Sequence, residues 1–226
     1  MDELNRRRIE LTSDQAFIRF FVLIRNKVNG KTMMGTTTDF RQLTETVVAE
    51  NAAVLNAVDP QEIDALISEI LRAKTIQIYA MGRMQLSARA FAMRLKHMGF
   101  DTYVVYDTTT PHIGAGDLLI IHCAVTNVEL NVITCAKQAG ARIALLTAHP
   151  ENQHGQLADL CVLVPGQIFG TGKELPSVQP MASSLEQSLF LLVDIVTMML
   201  IERKGVSIAQ MQASHTNLEG LPQGFA

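Results

Sequence analysis

Two strand-to-helix turns, one carboxylate on an apolar helix and one histidine in a polar tail hold the side chains of this sequence best suited to chemistry. The first turn reads Ala80-Met81-Gly82-Arg83-Met84-Gln85. A helix start offers free N–H groups and the positive end of a dipole, so this position suits an anion such as phosphate. Gly82 stands without G-x-G-x-x-G spacing, which argues against a dinucleotide. A plain tight turn would need the same glycine. The second turn is His122-Cys123-Ala124-Val125-Thr126-Asn127, again before a helix. Thr126 or Asn127 can cap that helix, and capping alone would account for both. Glu186 follows Ser183 and Ser184 at the head of a long apolar helix. Buried, its carboxyl would exchange protons near neutrality; in a solvated first turn it would only complement the dipole. His215, in Ser214-His215-Thr216-Asn217, reads as a tail histidine open to solvent. His149 and His154 flank Pro150-Glu151-Asn152-Gln153 at a spacing that matches no strong metal motif, so both read as surface residues. No G-x-S-x-G elbow and no Walker loop occurs.

Bulk properties narrow the classes. The 226 residues suffice for one large domain with a buried core, and two would be cramped. Apolar residues make up 48% and charged residues 18%, the balance of a globular chain. The net charge of −3 gives no basic footprint for nucleic acid; the triplet Arg6-Arg7-Arg8 lies between Glu3 and Glu10. Cys123, Cys135 and Cys161 form no C-x-x-C pair and sit in apolar stretches, so each reads as a small buried hydrophobe in a reducing, cytoplasmic setting. No apolar run reads as long enough to span a membrane, and the charged start does not read as a signal peptide.

The elements that must position these groups follow from the pattern. Residues 1–38, with an apolar patch at 17–24 and an Asn29-Gly30 turn, read as an upstream extension with the natural start at Met33 or Met34, or else as an extra helix packed on the domain or a partner. Asp39 caps a predicted helix through Leu55, and Asp59-Pro60 opens another. Strands are expected at 75–80, 102–106, 117–122, 142–147 and 160–164, and helices at 84–98, 127–139, 181–203 and 207–213. Apolar strands alternating with helices imply an α/β fold with a parallel sheet covered on both faces. Ligands in such folds bind at the carboxyl edge of the strands. That edge carries the segments after Ala80, Tyr106, His122 and Thr147.

The order Ala90-Phe91-Ala92-Met93-Arg94-Leu95-Lys96-His97-Met98-Gly99-Phe100, then Thr108-Thr109-Thr110-Pro111, then Gly116-Asp117-Leu118-Leu119-Ile120 is similar to the sugar isomerase (SIS) family. Gln179-Pro180-Met181, Leu185-Glu186-Gln187 and His215-Thr216-Asn217-Leu218-Glu219 continue it. Residues 39–226 resemble its 6-phospho-3-hexuloisomerase branch. The resemblance implies a five-stranded parallel sheet sandwiched by helices, a flavodoxin-like three-layer fold. It implies a homo-oligomer, tetramer or dimer, with sites between subunits. The reaction implied interconverts a 3-hexulose 6-phosphate and fructose 6-phosphate through an enediol, with no metal and no redox cofactor. Glu186 takes the role of proton acceptor, and His215 reaches a neighbouring subunit's site. Gly82, Arg83, Met84, Cys123, Ala124, Val125, Thr126, Asn127 and Val128 take the substrate-binding positions. The ligand implied is a phosphorylated sugar; nucleic acid and membrane are not implied.

This sequence departs from the family where phosphate is held. The family's G-x-G-R-S loop is Ala80-Met81-Gly82-Arg83-Met84 here, so Met84 replaces the serine. Its S-G-S-G-x-T loop becomes Cys123-Ala124-Val125-Thr126-Asn127-Val128, and each hydroxyl is replaced at its own position. Backbone N–H groups remain, which need no particular side chain. Each lost hydrogen bond to a charged group is worth roughly 1.5–3 kcal/mol, so affinity for phosphate would fall by orders of magnitude. Two readings follow: an active ketose isomerase, or an altered member serving as a sugar-phosphate sensor or assembly partner.

Overall fold

Asp59-Pro60 writes the start of a helix. The Asp59 carboxylate accepts the Gln61 N–H at 2.8 Å, and Pro60 occupies the first helical position, where no N–H is needed. The structure is a computed structural model and describes residues 39–219. The patch at 17–24 and the arginine triplet lie outside the described residues. The chain divides into two compact units, residues 1–43 and 44–226, and the account below concerns the second.

The elements in order are α1 (Phe40–Asn56), α2 (Pro60–Arg72), β1 (Ile76–Ala80), α3 (Met84–His97), β2 (Thr102–Val104), β3 (Leu118–Cys123), α4 (Asn127–Gln138), β4 (Arg142–Thr147), α5 (Gln153–Leu157), β5 (Leu160–Leu163), α6 (Ser183–Lys204) and α7 (Ile208–Ala213), followed by a 3-10 turn at Asn217–Glu219. The five strands pair in the order β2-β1-β3-β4-β5, all parallel. This is the expected architecture. Along β3, Leu118 and Ile120 pack with α2, α3 and α6 on one face. Leu119, Ile121 and Cys123 pack with α4 on the other. A strand buried on both faces reads as a continuous apolar run, as Leu118-Leu119-Ile120-Ile121 does.

Four expectations are corrected. β2 ends at Val104 instead of Tyr106, because Tyr106 turns to φ 73° and the Asp107 N–H bonds back to the Val104 carbonyl. The short helix α5 was unread; Asn152 caps it by accepting the N–H groups of His154 and Gly155. Of the three thiols, Cys123 is buried, Cys161 half-buried and Cys135 exposed. Helix α6 does have the length and composition to cross a membrane, and half of that stretch is buried in the domain.

Candidate active site

Arg83 and Glu186 meet because two helix starts converge. Gly82 turns out of β1 at φ 56°, a conformation L side chains rarely adopt, and delivers Arg83 to the head of α3. Glu186 sits in the first turn of α6. The guanidinium Nη1 lies 2.7 Å from Glu186 Oε2 and donates to Ser183 Oγ at 3.1 Å. The Arg83–Glu186 contact has ion-pair distance but lacks hydrogen-bond alignment at that oxygen. Glu186 is thus in the first turn and also largely sheltered, with 15% of its side chain exposed, so the two sequence readings merge.

The pair opens on a cavity of about 360 Å³ lined also by Asn51, Ser87, Gln187 and the apolar Leu86, Phe190 and Leu191. Asn51 fixes one wall. Its amide donates to Gln187 Oε1 at 2.8 Å, and its carbonyl accepts from Ser188 Oγ at 2.9 Å. Ser87 Oγ donates to the Met84 carbonyl at 2.9 Å and lies 2.8 Å from Nδ1 of the fully buried His122. Burial holds His122 down to a pKa of about 4, so it is neutral at pH 7. Glu50 sets the approach to α6 by accepting from Ser177 Oγ, the Val178 N–H and the Gln179 side chain at 2.6, 2.8 and 2.9 Å. Spacing could not reveal Asn51, Ser87 or Glu50, because their partners lie far along the chain.

The other predicted residues are placed differently. Met84 is buried in the core instead of facing a ligand. None of residues 123–128 lines the cavity. In the second turn, the Glu129 carboxylate accepts the Ala124 N–H at 2.8 Å and the Thr126 N–H at 2.7 Å. Thr126 completes a capping box with Glu129, and its hydroxyl points at Met81 Sδ, 3.0 Å away. Two amides expected to hold an external anion therefore hold an internal one. Val125 adopts φ 66°, strained for a β-branched residue. Asn127 opens α4, and Val128 is exposed beside it. His215 packs its ring on His97 at 5.1 Å, at the end of α3 opposite Arg83. A rise of about 1.5 Å per residue puts that end about 20 Å away, so one chain does not bring His215 to Glu186.

His149 and His154 are both buried, against expectation. His149 lies 2.7 Å from Glu174 and 3.1 Å from Glu151. His154 Nε2 lies 2.8 Å from the Thr126 carbonyl.

Known proteins are similar to this chain in sequence and fold. The SIS domain model matches residues 69–193, more than half the chain. The chain belongs to the SIS domain family. This SIS domain is 38% identical to the 3-hexulose-6-phosphate isomerase of Bacillus subtilis over 168 residues, 72% of this chain and 89% of that one. It is 36% identical to the 3-hexulose-6-phosphate isomerase of Mycobacterium gastri over 175 residues, covering 76% and 86%. Among solved structures, a Methanococcus jannaschii protein for which a function of 3-hexulose-6-phosphate isomerase was inferred superposes with a TM-score of 0.69 at 27% identity. That match covers 78% of this chain and 99% of the other.

Proposed function

We propose that this SIS domain is a phosphosugar isomerase that interconverts a 3-hexulose 6-phosphate and fructose 6-phosphate. The observation that carries the reading is the Glu186 carboxylate, sheltered at the wall of the cavity with the Arg83 cation 2.7 Å away. In the proposed reaction Glu186 takes the proton from C2 of the 3-ketose while the C3 carbonyl oxygen gains one, which gives a 2,3-enediol. Return of a proton to C3 and loss of the O2 hydrogen leave the carbonyl at C2. Arg83 supplies positive charge where the enediol oxygens become negative. The relatives named above support the substrate class.

The assay couples formation of fructose 6-phosphate from 3-hexulose 6-phosphate to a dehydrogenase. Glu186→Gln is expected to lower kcat roughly a hundred- to ten-thousand-fold. Equal rates for the wild type and Glu186→Gln end the proposal.

The proposal includes self-assembly and a cytoplasmic location. Leu86 of α3 and Leu191 of α6 are exposed apolar side chains at the cavity, and Met93 of α3 with Ile195 and Met198 of α6 are further exposed apolar side chains on the same helices. A second copy covering them would close the cavity, and His215 of one subunit would serve the site of another. The three free thiols are in line with a reducing compartment.

The occupied amides of Ala124 and Thr126 favour a second reading, a catalytically altered member that serves as a sensor or an assembly partner. A shift of the melting temperature by fructose 6-phosphate in a protein without turnover distinguishes it.

A further inference from the structure

We infer that Cys123, Glu129 and His154 form a binding site for one divalent transition-metal ion, best suited to Zn²⁺, behind the loop between β3 and α4. One sulfur, one carboxylate oxygen and one imidazole nitrogen lie within 4.8 Å of one another. The three residues are 0%, 0% and 6% exposed. Cys123 Sγ and Glu129 Oε2 are 3.8 Å apart. Two ligands bound at Zn–S and Zn–O lengths on one tetrahedral ion sit about 3.6 Å apart. The mixed sulfur, nitrogen and oxygen set suits Zn²⁺ better than Mg²⁺ or Ca²⁺.

Each ligand is prepared by a neighbour. The Thr126 carbonyl can only accept, so His154 Nε2 carries the hydrogen and Nδ1 the lone pair. Nδ1 is buried and has no hydrogen-bond partner. An imidazole tied to a backbone carbonyl through one nitrogen and bare at the other has the form of a metal ligand. The Cys123 thiol faces the Glu129 carboxylate, with Sγ 3.8 Å from Oε2. An arriving cation replaces that thiol proton, which leaves to solvent. Glu129 already grips Ala124 and Thr126, and departure of the Cys123 thiol proton frees a lone pair on Oε2 for the ion. The ion would fasten the end of β3 and the start of α4 to α5. Spacings of six and twenty-five residues match no metal motif, so the site is invisible in the sequence.

The test uses the full chain dialysed against a chelator and titrated with Co²⁺, then Zn²⁺. A Cys135→Ser/Cys161→Ser variant leaves Cys123 as the only thiol. In that variant one Co²⁺ per chain is expected to bring tetrahedral visible bands and a near-ultraviolet thiolate charge-transfer band, both displaced by Zn²⁺. Adding Cys123→Ser is expected to abolish the charge-transfer band, and His154→Gln to weaken Co²⁺ binding by at least ~10-fold. No thiolate band when Cys123 is the only thiol, or unchanged affinity in a folded His154→Gln protein, overturns the inference. Neither readout depends on isomerase activity.

Discussion

At the residue scale the decisive contrast is between two carboxylates. Glu186 faces a cavity, and Glu129 faces backbone amides. Both were in plain view, but their roles depend on what folding brings to them. The Thr126…Glu129 spacing signals a capping box, which accounts for the Thr126 pair. The reach of Glu129 to Ala124 follows only from the sharp turn at Val125. Glu129→Gln turns one acceptor oxygen into a donor, so one buried amide loses its partner. Hydrogen bonds to charged groups are worth roughly 1.5–3 kcal/mol, and urea unfolding should show a loss of that order. A midpoint within error of the wild type would mean the clamp is slack. Arg83→Gln keeps the polar reach and removes the charge. If the cation steadies the enediol, kcat falls together with kcat/KM; a rise in KM alone would assign Arg83 to ground-state binding.

At the element scale two of the points that hold the segment between β5 and α6 can be tested by substitution. Gly166 lies so close to α6 that a Cβ there would stand 2.4 Å from Leu185 Cα, a backbone atom with nowhere to go. Gly166→Ala should therefore lower the melting temperature and the activity together, since Glu186 is the next residue of that turn. The other point is Glu174, which accepts the N–H groups of Phe169 and Gly170 and holds His149. Burial opposes charge on His149, but its bonds to Glu174 and Glu151 outweigh it and raise its pKa above 6.5. The pKa values of Glu174 and Glu151 fall below 4.5: burial opposes the shift at Glu174, but backbone N–H groups and His149 prevail, and at Glu151 its own N–H leads. A raised histidine stabilises fully below its ordinary value and loses that contribution as pH climbs through the folded value. Lowered glutamates contribute above their ordinary value and lose it as pH falls. The clasp should then be tightest between those limits. Corrected for intrinsic rate, exchange of the Phe169 and Gly170 amides should accelerate above the His149 pKa, and His149→Gln should flatten that profile. A flat wild-type profile would disprove the charge assignment. The sequence hid this clasp because two histidines in a polar loop look solvated until Glu174 folds over one of them and α5 carries the other inward.

At the scale of the whole molecule the sheet was legible and the outer side of α6 was not. Parallel strands buried on both faces leave uninterrupted apolar runs, and Asp59-Pro60, Gly99, Gly140 and Gly205 mark helix ends through local chemistry that tertiary packing does not override. Helix α6 is different. Leu185, Leu189, Leu192, Val196 and Leu200 face the core, while Leu191, Ile195 and Met198 are exposed. A helix apolar all round cannot state from its own pattern which side the domain buries, and the exposed side asks for another partner. If a second copy covers it, Ile195→Asp places a charge in that contact and leaves the core of the domain untouched. Sedimentation should then show a smaller species than the wild type with an unchanged circular dichroism spectrum. Activity should fall with the loss of assembly, because Leu191 of the same stripe lines the cavity beside Glu186. A wild type that sediments as a monomer at working concentration and still turns over substrate would detach the site from assembly and leave His215 without a role in it.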